Sequence, residues 1–157
     1  MTDQTLDPIR RHIDGANHHD AIAFAAPYAT NATNHGRPVG RDGLRRVAEG
    51  LLAAFPDLHF EIETTVAQGD TVMCEMTMTG THRGTPNLGV LGGHLVGVPP
   101  TGRRVKERQM HLFRVAGGQI LEHRAVRDDL GLMEQLGLIP PHVGPVEDSS
   151  RRAAGAD

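Results

Sequence analysis

Four side chains that can move a proton or bind an anion lie close together in the sequence between residues 109 and 128. They are Gln109, His111, Arg124 and Asp128. This segment has the pattern of two β-strands joined at Gly117-Gly118, because a glycine pair suits a two-residue hairpin turn with positive φ angles. The spacing therefore predicts that these groups are held on a rigid hairpin and not on a mobile loop.

The pairing register of this hairpin predicts which of these side chains meet. If the strands pair without interruption from the turn, His111 lies opposite Arg124, and Gln109 lies opposite Val126. Side chains alternate between the two faces of a strand. One face then carries Gln109, His111, Phe113, Arg124 and Asp128, and the other carries Met110, Leu112, Leu121 and Ala125.

A carboxylate close to a histidine and an amide can act as a general acid–base site. A free Asp titrates near ~3.9, so an apolar wall is needed to raise the pKa of Asp128 towards neutrality. Three other interpretations of these residues stay open. Asp128 could serve only as the N-cap of a following helix, and His111 with Arg124 could be a polar ladder on a solvated face. Arg124 could also pair with Asp128 and lower its pKa, which favours water activation of the epoxide-hydrolase type.

The rest of the chain shows helical spacing first and strand-like alternation afterwards. The apolar spacing predicts helices and Asp7-Pro8 is the expected start of the first one. From residue 58 the period falls to two, as in half-buried strands. The predicted helices cover 6–17, 19–26, 40–54 and 130–136, and the predicted strands cover 28–34, 58–66, 71–81, 101–116 and 119–128.

This order predicts an α+β fold, in which a cone-shaped, curved antiparallel sheet packs against N-terminal helices and leaves a concave face for a pocket. With 157 residues the chain fits one domain. We expect that domain over residues 1–138, a helix C-cap at Gly137, and a flexible, Pro- and Gly-rich tail over 139–157.

Composition excludes several classes of function. Apolar residues make up 38% of the chain, charged residues 22%, and the net charge is -3. No basic stripe indicates nucleic acid, and no apolar run is long enough to span a membrane. The single Cys74 and an N-terminus without an apolar signal segment predict a cytoplasmic protein. The ten histidines show no metal-ligand spacing, and His111 and His123 are expected on opposite faces, so no metal site is predicted.

Several short motifs, taken in order, resemble the SnoaL-like polyketide cyclase family over about residues 6–138. No single motif is specific, but the ordered set is. The resemblance implies the cone-shaped fold shared with nuclear transport factor 2 and ketosteroid isomerase. The motifs are Ala54–Leu58, Gly80–Gly84, Pro99–Gly102, the strand with Gln109 and His111, Ile120–His123, and Asp128–Leu132 followed by Gln135–Gly137.

The resemblance also implies a function in bacterial antibiotic biosynthesis. Members of the family close a ring in an aromatic polyketide ester by an intramolecular aldol reaction that needs no cofactor. Asp128 matches the acid–base residue, and Gln109 and His111 match positions that could hydrogen-bond the enolate or alkoxide. The implied partners are a hydrophobic small-molecule substrate and further copies of the chain, in a homodimer or homotetramer. The implied substrate-binding residues are Asn34, His35, Phe55, His82, Phe113 and Arg124.

Other functions fit the same resemblance, because this fold carries many activities. A hydrolase, a hydroxylase or an isomerase of the ketosteroid type is one alternative, and a non-catalytic small-molecule binding module is another. An enzyme should hold Asp128 at the bottom of a cavity, next to His111 or Gln109. A binding module should use Asp128 as a helix cap and fill the pocket with side chains. The long Gly-rich stretch 82–100 is predicted to form a lid or to contact a partner subunit.

Overall fold

The computed structural model of the protein describes residues 3–86 and 93–141. Its elements follow the predicted order of helices first and long strands afterwards. They are α1 (Asp3–Asn17), α2 (Ala21–Ala25), β1 (Tyr28–Asn34), β2 (Arg37–Pro38), α3 (Gly40–Ala54), β3 (His59–Gln68), β4 (Thr71–Thr81), β5 (Arg104–Ala116), β6 (Gln119–Arg127) and α4 (Asp129–Leu136).

The six strands form one curved sheet in the order β2-β1-β6-β5-β4-β3, and the α+β prediction is confirmed. β3 to β6 pair antiparallel, whereas β1 lies parallel to β6. The register of that parallel pair sets Asn34 beside His123. The helices of the first half pack over the concave side of the sheet, as α1 contacts β3, β5 and β6, and α3 contacts β1.

The first helix buries one apolar face, since Ile9, Ile13 and Ala16 are almost fully covered. The prediction that this helix starts at Asp7-Pro8 is wrong, because α1 begins at Asp3 and Pro8 lies inside it. Asp7 instead pairs with Arg11 one turn later, at 2.9 Å. A proline near the beginning of a helix costs one backbone hydrogen bond, which the burial of the apolar face offsets.

The hairpin between β5 and β6 has the predicted two-residue turn. Gly117 and Gly118 both have positive φ angles, 56° and 71°, and Ala116 pairs with Gln119. The pairing does not continue without interruption, however. Val115 pairs with Ile120 but Arg114 pairs with Glu122, so a β-bulge adds Leu121 as an extra residue.

Because of the bulge, the side chains of β6 beyond Leu121 do not point to the predicted faces. Beyond Leu121, each residue of β6 pairs with the β5 residue that an uninterrupted ladder would have assigned to the residue before it. Its side chain therefore points to the face opposite the predicted one. His123 is therefore paired with Phe113, and Ala125 with His111. The expected grouping of Arg124 with His111 is wrong, and so is the expectation that His111 and His123 lie on opposite faces.

The last helix, α4, has both of its ends capped. The side chain of Asp128 accepts a hydrogen bond from the backbone N–H of Gly131 at 3.0 Å, and Gly137 ends the helix with φ 73°. Gln135 fastens α4 to β5, because its side chain bonds both backbone groups of Lys106. Most of the predicted tail, and residues 87–92 of the predicted lid, lie outside the described residues.

Candidate functional site: a histidine-lined cavity on the concave face

A cavity of about 470 Å³ lies between the concave face of the sheet and the helices, a volume typical of small-molecule pockets. Its walls are mainly apolar, and its polar lining comes from α1, β1, the turn between β1 and β2, β2, β5 and β6. The lining residues are His12, Ile13, Phe24, Asn34, His35, Arg37, Val39, Leu44, Val47, Leu51, Phe60, Gln109, His111, His123, Ala125 and Arg127.

Five side chains form a continuous hydrogen-bonded chain along this wall, which we name the polar row: Asn34, His123, His111, Gln109 and Glu107. Asn34 Oδ1 lies 3.0 Å from His123 Nδ1, and His123 Nε2 lies 2.9 Å from His111 Nδ1. His111 Nε2 lies 2.8 Å from Gln109 Oε1, and Gln109 Nε2 donates to Glu107 Oε2 at 2.7 Å. The polar row thus links β1, β6 and β5 across the sheet.

The sequence forms the polar row through strand alternation and one bulge. Glu107, Gln109 and His111 are alternate residues of β5, so all three point to the concave side. The bulge at Leu121 turns His123 to the same side, and the parallel pairing of β1 with β6 adds Asn34. The polar row is therefore held by backbone pairing on three strands.

Burial keeps the histidines of this cavity neutral. Desolvation lowers the pKa of His111 to about 3 and that of His12 to about 4, and it holds the pKa of His123 well below the usual 6.5. His12 donates from Nδ1 to the carbonyl of Phe24 at 3.1 Å. Neutral imidazoles each carry one donor and one acceptor nitrogen, so they can pass hydrogen bonds along a chain.

Glu107 closes the polar row at its inner end. Its side chain is 1% exposed, and its Oε1 has no hydrogen-bond partner among the described residues. Desolvation raises the pKa of Glu107 to about 7, against the opposing effect of the hydrogen bond from Gln109. A buried carboxyl with such a pKa can gain or lose a proton near neutrality.

The outer end of the cavity carries His35, a histidine whose pKa responds to the charge of Arg127. His35 has a left-handed backbone, with φ 51°, in the turn that follows β1. Desolvation and the neighbouring charge of Arg127 lower the pKa of His35, so its imidazole is neutral at pH 7. Arg127 lines the cavity and pairs with Asp129 at 3.1 Å. A neutral base beside a guanidinium suits chemistry in which a substrate oxygen becomes negative.

The structure brings four of the residues predicted for the site to the cavity: Gln109, His111, Asn34 and His35. It places the other five elsewhere. Phe113 is buried under the polar row, where its ring stacks on those of His111 and His123. The remaining four residues do not line the cavity, and they are Phe55, His82, Arg124 and Asp128.

Phe55 and His82 pack on each other away from this cavity, with ring centroids 5.6 Å apart. His82 accepts a hydrogen bond from the backbone N–H of Thr101 at 3.2 Å, so it ties the end of β4 to the segment before β5. Neither residue is among those that line the cavity.

Arg124 and Asp128 are exposed and do not pair with each other. Arg124 lies on the convex face and pairs with Glu122 at 2.5 Å, because the bulge turned it outwards. Asp128 caps α4 and does not line the cavity. The predicted Arg124–Asp128 couple is therefore wrong, and the geometry gives no support to the water activation that depended on it. A catalytic role of Asp128 stays a prediction.

Sequence reasoning missed four members of this site: His12, Glu107, His123 and Arg127. His12 had a usable signal, since it lies three residues after Ile9 on the buried face of α1. Glu107 also had one, because it alternates with Gln109 along β5. His123 and Arg127 depend on the bulge, which no residue type in the hairpin announces.

Two results concern membranes and metals. Within the described residues, no helix is long and apolar enough to cross a membrane. In that same part of the chain, no three or more His, Cys, Asp or Glu side chains are arranged to hold a metal ion. His111 and His123 do meet, but their nitrogens point at each other in a hydrogen bond and do not converge on a shared ligand position.

The curved sheet, packed against the N-terminal helices, has the cone-shaped architecture of the nuclear transport factor 2 type. The sequence pattern of the SnoaL-like polyketide cyclases matches residues 7–136, and the chain belongs to this family. The resemblance stated from the motifs is thus confirmed.

Individual relatives agree with this family. The chain is 51% identical over 45 residues to the aklanonic acid methyl ester cyclase DnrD of Streptomyces peucetius, a match that covers 29% of this chain and 31% of that protein. A nogalonic acid methyl ester cyclase of Streptomyces nogalater is 49% identical over 45 residues, which cover 29% of this chain and 34% of that protein. The match therefore spans only about a third of these curated relatives.

Solved structures extend the similarity over nearly the whole fold. AclR, a proposed hydroxylase from Streptomyces galilaeus, superposes with a TM-score of 0.75 at 25% identity, covering 98% of this chain and 94% of that chain. IdmH, a proposed polyketide cyclase from Streptomyces antibioticus, superposes with a TM-score of 0.68 at 28% identity, covering 85% and 99%.

Proposed function

We propose that the protein is a cofactor-independent enzyme that closes a ring in a polyketide-type ester by an intramolecular aldol reaction. Family membership supports a cyclase in the broad sense. The observation that carries the finer proposal is that His35 and Arg127 line the same cavity of about 470 Å³, where the charge of Arg127 helps to lower the pKa of His35. A carbon acid flanked by carbonyls needs such a pair, a base for its proton and a cation for its enolate oxygen.

The proposed reaction has three steps. The imidazole of His35 takes the proton from a carbon between two carbonyl groups, and the electron pair delocalises into an enolate. The enolate carbon attacks a ketone of the same molecule, which forms the new carbon–carbon bond and an alkoxide. The imidazolium of His35 returns the proton to that alkoxide. Arg127 and Asn34 supply hydrogen bonds to the oxygens on which negative charge develops.

In this scheme His111 and Gln109 orient other groups. Both ring nitrogens of His111 are engaged, one with His123 and one with Gln109. Gln109 in turn bonds Glu107 and His111. Asn34 bonds the polar row through one atom of its amide, which leaves the other amide atom for a ligand.

The experiment compares the proposed base with the carboxylate that the family resemblance indicates. Turnover of aklanonic acid methyl ester, the compound in the names of two relatives, is followed by chromatography for wild type, His35→Gln and Asp128→Asn. We expect His35→Gln to lose at least a hundredfold in rate, as usual for a missing general base. His18→Gln, which changes an exposed histidine in the turn just after α1, is the control. Full activity of His35→Gln with loss in Asp128→Asn would transfer the role to Asp128.

A non-catalytic binding module is the second candidate, and one observation favours it. Asp128 is exposed and caps α4, as expected for that class. The open cavity argues against it, since a binding module was expected to fill the pocket with side chains. Tight binding of the same ester with no conversion by the wild type would support the binding module.

A further inference from the structure

The polar row contains a mismatch between donors and acceptors. In the structure its two imidazoles lie between Asn34 Oδ1 and Gln109 Oε1, which both accept hydrogen bonds. Each of three contacts then needs one proton between its two atoms. They are the contacts of Asn34 with His123, of His123 with His111, and of His111 with Gln109. Two neutral imidazoles supply only two N–H groups. One contact therefore lacks a proton unless one amide turns over and exchanges its oxygen with its nitrogen, which leaves its shape unchanged.

An additional proton on the histidines would also fill all three contacts, but burial opposes it. The pKa of His111 is lowered to about 3, and that of His123 lies well below its usual value. Turning one amide resolves the mismatch at lower cost, because an amide rotation places no charge in the buried cavity wall.

Which amide turns depends on Glu107. When Glu107 is ionised it only accepts hydrogen bonds, so the Nε2 group of Gln109 must face it, as the 2.7 Å contact shows. Gln109 Oε1 then accepts from His111 Nε2, His111 Nδ1 accepts from His123 Nε2, and His123 Nδ1 accepts from Asn34 Nδ2. In this arrangement the amide that has turned is that of Asn34.

When Glu107 is protonated, the opposite arrangement becomes complete. Glu107 donates its O–H to Gln109 Oε1, and Gln109 Nε2 donates to His111 Nε2. His111 Nδ1 then donates to His123 Nε2, and His123 Nδ1 donates to Asn34 Oδ1. Every contact has one donor and one acceptor, and only the amide of Gln109 has turned.

We propose that Glu107 is a positioning residue whose proton sets the direction of all hydrogen bonds in the polar row, and thereby decides whether Asn34 offers N–H or C=O to a ligand. With Glu107 protonated, Asn34 bonds His123 through its oxygen and presents its amide N–H to the cavity. With Glu107 ionised, Asn34 presents its oxygen. Only the first state donates a hydrogen bond to an enolate or alkoxide.

The charges around Glu107 place this change near neutral pH. Arg127 of β6 stabilises the ionised carboxylate, while Asp128 and Asp129 at the start of α4 oppose it. Met78 of β4 pairs with Glu107 and adds no charge, and its sulfur is 3.5 Å from Gln109 Nε2. With desolvation these effects bring the pKa of Glu107 to about 7.

Nuclear magnetic resonance of ¹⁵N-labelled histidine side chains tests the proposal on the protein without ligand. In wild type we expect the proton of His111 to move from Nε2 above pH 8 to Nδ1 below pH 6, and that of His123 to move in the same sense. Glu107→Gln, which removes the titrating proton, is expected to hold both tautomers constant over this range. Glu61→Gln, an exposed carboxyl of β3, is the control and should behave as wild type.

A second variant keeps the test decisive if Glu107→Gln does not fold. Gln109→Met has a similar shape but cannot pass the hydrogen bond from Glu107 to His111, so the tautomers should again be independent of pH. Constant tautomers in wild type, or an unchanged transition in Gln109→Met, would overturn the proposal. The inference rests on the proposed function only in taking the cavity as the substrate site. A failed turnover assay leaves the tautomer result standing, and the reverse also holds.

Discussion

The two faces of the β5–β6 hairpin use polar side chains in opposite ways. On the convex face the charges are paired and exposed, as in Arg108 with Glu75 and Arg124 with Glu122. On the concave face His111 and Gln109 are buried, uncharged and hydrogen-bonded. Water screens charges on the first face, so the pairs there contribute little to stability. On the second face each polar group needs a partner, because an unpaired buried one is costly.

The bulge at Leu121 decides which side chains go to which face. Without it Arg124 would point into the concave wall and His123 would point to solvent. A guanidinium buried beside the imidazole of His111 would have Glu107, four positions before His111, as its nearest carboxylate on β5. The extra residue thus places a neutral hydrogen-bonding group inside and leaves the cation on the hydrated surface.

Lowering the pH should produce the largest difference between the two faces in their contribution to the free energy of unfolding. The folded pKa of His111 is about 3 and that of His12 about 4, both below the unfolded value of 6.5. The unfolded chain therefore binds more protons as the pH falls below 6.5, and stability is lost in that direction. Each of these histidines contributes up to about 1.4 kcal/mol per pH unit. Urea unfolding between pH 7 and pH 4 should show this loss.

The variants His12→Asn and His59→Asn separate the buried from the exposed histidines in this measurement. His59 is exposed at the start of β3. We expect His12→Asn to flatten the acid side of the stability curve and His59→Asn to leave it unchanged. Equal slopes for the two variants would show that the buried histidines are charged in the folded protein.

Removing a hydrogen-bonding side chain from the polar row should have the next largest effect on the free energy of unfolding. His111→Leu keeps most of the volume but leaves Gln109 Oε1 and His123 Nε2 without partners. We expect a loss of about 2 to 6 kcal/mol in the free energy of unfolding, since each of the two unpaired buried groups costs about 1 to 3 kcal/mol. Arg108→Leu on the convex face is the matched control and should cost much less, because water screens the exposed ion pair that it removes. Similar losses from both variants would remove the distinction between the faces.

Glu107→Gln should stabilise the protein at alkaline pH. The folded pKa of Glu107, about 7, lies above its unfolded value of 4.5, so folding takes up a proton between these values. Stability therefore falls as the pH rises through this window, and the cost of the buried carboxylate is complete above pH 7. Relative to pH 5, we expect the variant to gain on the order of 2 kcal/mol over wild type at pH 8. A difference that does not change with pH would mean that Glu107 is ionised throughout.

Much of the fold followed from local patterns in the sequence. The hairpin turn at Gly117-Gly118 was predictable because few residue pairs accept two positive φ angles. The strand Thr71–Thr81 was predicted with its observed bounds, since alternation over eleven residues leaves little ambiguity. The position of Gly137 as a helix C-cap is also as expected.

The site was less predictable, because it depends on contacts between distant residues. The start of α1 was missed since a proline is tolerated inside a helix when burial compensates for it. The partner of His123 is Asn34, 89 positions away, and this pairing exists only through the parallel placement of β1 beside β6. Single-strand periodicity contains no information on such a neighbour, nor on the bulge that turns His123 inwards.

Removing an ion pair of the convex face is expected to have the smallest effect on the free energy of unfolding. Glu75→Gln removes the partner of Arg108, whose side chain is 78% exposed. An exposed pair of this kind contributes little to stability, and the contribution falls as salt screens the charges. Urea unfolding of wild type and Glu75→Gln in 0.05 M and 1 M NaCl should show a small difference that disappears at high salt. The difference between wild type and His111→Leu should persist at both salt concentrations, because His111 and its partners Gln109 and His123 are uncharged and shielded from water. If salt removed that difference as well, these side chains would have to carry charge.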